Sequence, residues 1–181
     1  MKKILTILVL FLSTSILHAN DREIELNKLF ADLKKNIPTL SAKVEQQIWF
    51  LWSTHPSNQK LTSMLDEGSR LVQDRQLNRA ISIFTEAIEL DPKWAEAWNK
   101  RATVFYMVGE FQKSQDDIDK VLELEERHFG ALAGQGMVNI QLRNYEKAIL
   151  SYKKAQEIYP SMQSAEIMIK QIENLIKQDL I

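Results

Sequence analysis

The segment GSRLVQDRQLNRAISIFTEAIELDP, Gly68 to Pro92, decides how this chain folds, because it comes back. GMVNIQLRNYEKAILSYKKAQEIYP, Gly136 to Pro160, repeats its landmarks sixty-eight residues later: Gly68 with Gly136, Ala80 with Ala148, Phe84 with Tyr152, Ala87 with Ala155 and Pro92 with Pro160. Halfway between lies a weaker copy, marked by Ala102, Ser114, Ile118, Val121 and Glu126. A second series keeps the same thirty-four-residue period: Leu77, Phe111 and Tyr145, each followed two places on by Arg79, Lys113 and Lys147. Such a period is the mark of a solenoid.

Each copy reads as two helices. Met64, Gly68, Leu71 and Val72 recur at three- and four-residue steps, as do Ala80, Phe84, Ala87 and Ile88 after the polar turn Gln73 to Gln76. The small residues Gly68 and Ala80 are expected to let the two axes approach, and Ala148 is expected against Gly136. Pro92 cannot donate to a helical ladder and closes the unit.

With these positions the chain resembles a tetratricopeptide repeat (TPR) protein over Leu61 to Pro160. The middle unit departs from the pattern at Ser114, for an alanine, and at Glu126, for the closing proline. Two phrases, AEAWNKRAT (Ala95 to Thr103) and RHFGALAGQG (Arg127 to Gly136), resemble a group of small exported TPR proteins of Proteobacteria. The expected fold is an all-α solenoid with repeats at 61–94, 95–128 and 129–162. A C-terminal capping helix is expected at 163–181, with Met168, Ile169, Ile172, Leu175 and Ile176 on its apolar side. Residues 20–57 hold two further helices, marked by Leu26, Leu29, Phe30 and Leu33 and by Val44, Ile48, Trp49, Leu51 and Trp52. They read as a cap or a degenerate repeat, and filling of the concave groove by Trp49 and Trp52 is the competing arrangement.

Ahead of them, Lys2 and Lys3, the apolar run Ile4 to Leu17 and the small residue Ala19 have the order of a secretory signal peptide over residues 1–19. The run is shorter than the roughly 20 residues that cross a bilayer. A periplasmic protein without stable membrane insertion is expected, and an uncleaved N-terminal anchor is the alternative. The absence of cysteine excludes disulfides and thiolate metal sites. The balance of 23 basic against 24 acidic residues gives no sign of a nucleic-acid partner.

Catalytic motifs are absent: no HExxH, phosphate loop, serine elbow or EF-hand appears. Asp116-Asp117 and Glu125-Glu126 are adjacent, so their side chains diverge on a helix. His55, in a Pro-Ser-Asn turn, reads as a solvated loop residue. No enzyme, cofactor or metal is expected.

The resemblance implies instead a concave groove that binds a protein or peptide. Its geometry places Ser69 there from the first unit, Glu96, Asn99, Lys100, Thr103, Tyr106 and Met107 from the second, and Met137 and Gln141 from the third. Trp98, Ala102 and Phe105 are expected inside, and Arg101 beside them within reach of a carboxylate. TPR domains that bind chaperones clamp a terminal carboxylate with lysines, an arginine and asparagines, and most of these are missing here. Arg127 and His128 precede the helix that starts at Phe129, where free amides attract an acidic group. Local capping by Glu125 or Glu126 is the alternative occupant. Self-assembly into homo-oligomers through exposed apolar flanks is the second functional reading.

Overall fold

The computed structural model describes residues 21–179, and the expected signal peptide lies outside them. All regular structure among the described residues is helical. Helix α1 covers 21–33 and α2 Pro38–Ser53; then follow α3 Gln59–Gln73, α4 Leu77–Leu90, α5 Ala95–Met107, α6 Phe111–Leu124, α7 Phe129–Gln141, α8 Tyr145–Ile158 and α9 Gln163–Asp179. None of them is long and apolar enough to cross a membrane.

Helices α3 to α8 form three antiparallel pairs, and the period extends to the backbone. At the end of each first helix Gln76, Glu110 and Asn144 donate their amides to the carbonyls of Leu71, Phe105 and Asn139 at 2.8–2.9 Å. The residue before each donor is left-handed: Arg75 (φ 59°), Gly109 (φ 80°) and Arg143 (φ 57°). This is the Schellman ending, which favours glycine. Only the middle unit supplies one.

Packing inside a pair is set by a small residue facing a ring. A Cβ added to Gly68 would collide with the Phe84 ring, and one on Gly136 would lie 2.5 Å from Tyr152 Cε2. Glycine is thus needed at both positions to seat the aromatic ring. The middle unit carries Ala102 and Ile118 in the same core cluster, so a smaller partner accommodates the extra methyl. Ser114 is buried, and its hydroxyl donates to the Ala102 carbonyl at 2.8 Å, which satisfies the only polar atom the substitution introduces. Helix α9 closes the far end, with Ala165 and Ile172 packed on Ala148 and Tyr152.

The hairpin α1–α2 does not stack ahead of α3. It lies along the edge formed by the turns between units, where positions thirty-four apart meet it in order. Trp94 donates to the Trp52 carbonyl at 2.9 Å, His128 stacks on the Trp52 ring, and Met162 joins the core of Phe30, Leu33, Ile48 and Tyr159. One residue series back, Asp91 binds His55 at 2.8 Å and the Tyr159 hydroxyl donates to Glu45 at 3.0 Å. A strap across all three repeats results.

Candidate protein-binding groove

The first helices α3, α5 and α7 carry the expected groove residues, but the hairpin changes what several of them do. Glu96 is turned inward, while Asn99, though largely buried, still lines the cavity between α5 and α7. Glu96 is 1% exposed, and its Oε2 accepts from Asn99 Nδ2 at 3.1 Å and lies 3.0 Å from His128 Nε2. The family resemblance put both residues on the concave side; α2 packs on α5 and closes that side around Glu96. Lys100 remains half-buried with Nζ 3.2 Å from Glu96 Oε1.

Burial alone would raise the Glu96 carboxyl. The hydrogen bond and pull of His128, followed by Lys100, outweigh burial and hold it below the usual carboxylate range. His128 is itself fully buried, and its Nδ1 accepts from the Ala131 amide at 3.0 Å, capping α7. With Nδ1 accepting, the ring proton sits on Nε2 and is donated to Glu96. Arg127 donates to Glu125 from Nε at 2.7 Å and Nη2 at 2.8 Å, and to Glu23 at 3.1 Å. Its hydrogen bond to Glu125 raises the guanidinium pKa. Arg127 and His128 therefore hold the protein's own carboxylates, Glu125 and Glu96, and not an external acidic group.

Beyond this covered end the groove is open. Between α5 and α7 a cavity of about 80 Å³ is lined by Asn99, Ala102, Thr103, Tyr106, Gly130, Gly134 and Met137. Met137, in its lining, is 40% exposed, and Met107, the residue after Tyr106 on α5, is 49% exposed. Tyr106 is half-buried on Phe111, ring centroids 5.6 Å apart, and its hydroxyl accepts from Gln141 at 3.3 Å. The Thr103 and Ser69 hydroxyls turn back to the carbonyls of Asn99 and Leu65. Trp49 reaches the covered end of the groove, where a Cβ on Gly130 would lie 2.5 Å from its ring, but stops short of Gly134. The N-terminal helices fill one end only.

Arg101 does find a carboxylate: Nε and Nη2 each donate to Asp117 at 2.8 Å, and Nη1 donates to Thr85 at 3.0 Å. It also lies over Trp98, 5.0 Å from the ring centroid. Trp98 is only half-buried, and Trp94, which the apolar pattern passed over, is the buried indole. His55 is likewise not solvated: its side chain is 6% exposed, bound to Asp91 and edge-on to Trp94. Trp94, His128 and Met162 stand thirty-four residues apart, so the repeat period marks the turn positions that the hairpin meets but not their partners in it.

A family model described as "Tetratricopeptide repeat" matches residues 65–114 and 100–162, more than half of the chain. The chain belongs to the tetratricopeptide repeat family. It is 28% identical over 148 residues to a "TPR repeat-containing protein" of Rhizobium etli, covering 81% of this chain and 72% of that one. Over 98 residues it is 26% identical to "Hsp70-Hsp90 organizing protein 1" of Glycine max, covering 54% of this chain but 17% of the relative's length. Among solved structures, the first TPR of Spaghetti (RPAP3), bound to an HSP90 peptide, superposes with a TM-score of 0.63 at 19% identity, over 66% of this chain and 94% of that one. That likeness establishes the TPR fold.

Proposed function

We propose that this TPR protein is a non-catalytic scaffold of the cell envelope that binds a protein or peptide partner in the open part of its groove. The cavity between α5 and α7 carries the reading. It has room for a single aliphatic side chain, and Tyr106 and Met137 in its lining offer an aromatic anchor and an adaptable thioether, with Met107 exposed next to Tyr106 on α5. Its one nearby cation, Lys100, is held by Glu96, so the partner segment is uncharged where it enters. TPR relatives that accept chaperone peptides support the mode of binding, though the partner here differs in chemistry.

Capture from an envelope extract tests this, with Tyr106→Ala and Met137→Glu beside the wild type. Both variants keep the wild-type melting profile and lose the partner. A partner retained by both would place binding elsewhere. Export is tested separately: the intact mass of the periplasmic protein begins at Asn20. A mass retaining Met1 in the membrane fraction would assign the anchored form.

Self-assembly is the second reading, favoured by Phe50, 66% exposed on the outer side of α2, and by Leu150 and Ile167, each 54% exposed. Light scattering that gives a monomer across the micromolar range would remove it.

A further inference from the structure

The junctions between successive second helices, α4 with α6 and α6 with α8, share one plan but are filled differently. At the first, Arg101 of α5 reaches between the helices. It donates from Nε and Nη2 to Asp117 at 2.8 Å and from Nη1 to Thr85 at 3.0 Å. Its guanidinium lies 5.5 Å from the centroid of the Phe105 ring, and Ile81 packs on the adjoining core. Thirty-four residues on, each of these positions has changed: Gln135 stands for Arg101, Asp119 for Thr85, Ser151 for Asp117, Asn139 for Phe105 and Gln115 for Ile81. Gln135 still bridges the two helices, donating to Asp119 Oδ1 at 3.4 Å and accepting from the Ser151 hydroxyl at 2.9 Å. It is shorter than arginine and uncharged, and an open pocket of about 500 Å³ takes the place of the filled junction.

The second junction has kept a carboxylate and lost the arginine that answered it. Asp119 is exposed in the pocket lining, and its Oδ1 accepts from two neutral amides, Gln115 at 2.7 Å and Gln135 at 3.4 Å. Among the described residues no cation pairs with it. Lys147 and Lys154 also line the pocket. Their counterparts at the first junction show that lysines in this register are compatible with a guanidinium. Lys113 shares the Phe105 ring with Arg101, at 5.7 Å from its centroid, and Lys120 turns to Glu123 at 2.8 Å. Glu157 repeats Glu123 one unit later.

We propose that the pocket between α6 and α8 binds a guanidinium, from a partner's arginine side chain or a free guanidinium compound, in the place that Arg101 fills one repeat earlier. The planar fork donates to the Asp119 carboxylate, and the side-chain oxygens of Asn139 and Gln135 offer further acceptors at the pocket wall. An ammonium is a point charge without that fork and binds less tightly. The pocket shares no lining residue with the cavity between α5 and α7, so it stands or falls independently of the partner proposed there.

The test follows the side-chain amide resonances of Gln115 and Asn139 in the full chain during titration with acetyl-Gly-Arg-Gly-amide and its lysine, glutamine and glutamate counterparts. The arginine peptide shifts them saturably and binds about tenfold more tightly than the lysine peptide, the factor given by one added hydrogen bond to a charged group. Asp119→Asn, a change at an exposed position, abolishes the shift. Gln135→Arg with Ser151→Asp rebuilds the first junction, fills the pocket from within and abolishes it too. No saturable shift, equal affinity for the four peptides, tightest binding of the glutamate peptide, or binding retained by Asp119→Asn overturns the proposal. Methylguanidinium separates the two sources: weaker binding than the arginine peptide assigns the site to a partner's arginine, and equal or tighter binding assigns it to a free guanidinium compound.

Discussion

The imidazole of His128 lies flat on the indole of Trp52, with ring centroids 3.9 Å apart and planes 8° from parallel. One ring belongs to the turn between two repeats and the other to the N-terminal hairpin, so this contact fastens the strap to the array. Trp52→Ala removes it together with the packing on Phe30 and Phe129. The expected cost is about 3–5 kcal/mol. Thermal melts report the loss, and limited proteolysis should cut within the hairpin first; cleavage spread evenly over the chain would contradict the strap.

The Glu96 carboxylate ties stability to pH. Its folded pKa is depressed, so its contribution is present above the unfolded value of about 4.3 and is lost as pH falls through the lower folded value. Glu96→Gln should be less stable at neutral pH and show a shallower decline between pH 5 and 3. Urea unfolding of both proteins at pH 7, 5 and 3 checks the sign. Parallel profiles would show that another carboxylate governs the acid limb.

Gly136→Ala should destabilise by about 1–3 kcal/mol, because the new methyl overlaps the Tyr152 ring. Helix propensity alone predicts a gain of roughly 1 kcal/mol. Adding Tyr152→Ile recreates the Ala102–Ile118 arrangement and should recover part of the loss. A double variant no better than the single one would refute this pairing of small residue and ring.

Arginine at the left-handed positions 75 and 143 strains the Schellman endings. Arg143→Gly relieves roughly 1–2 kcal/mol of steric cost against about 0.5–1 kcal/mol of added chain entropy. A small rise in melting temperature is expected. A fall would mean that the Arg143 side chain makes a stabilising contact of its own.

The indoles separate buried from half-buried packing. Trp94→Ala should cost about 3–5 kcal/mol, since it empties a core site and breaks the bond to the Trp52 carbonyl. Trp98→Ala should cost less than half as much, because that ring is partly solvated and leans on Arg101. Equal melting temperatures for the two variants would refute the assignment of Trp94 to the core.

Much of this was legible in the sequence. Thirty-four-residue spacing placed Gly68, Ala80, Phe84 and their counterparts in paired helices, because each repeat buries its apolar face against the next and local periodicity records that face. The apolar stripe of residues 163–181 likewise announced a helix needing one neighbour, and α9 packs on α8. The family resemblance put Glu96 in the groove and Trp98 inside, and the turn around His55 read as solvated; the structure corrects all three. Which side of a helix is solvent depends on what else the chain lays against it, and here that is a hairpin from far upstream. Where α1 and α2 would dock was decided by shape and by single polar atoms: Trp49 over Gly130, Trp52 on His128, Glu45 on Tyr159. Those contacts join residues about 80 to 114 positions apart, and no short-range pattern encodes them. The sequence by itself therefore determined the solenoid, whereas only the tertiary structure decided which part of its groove stays open.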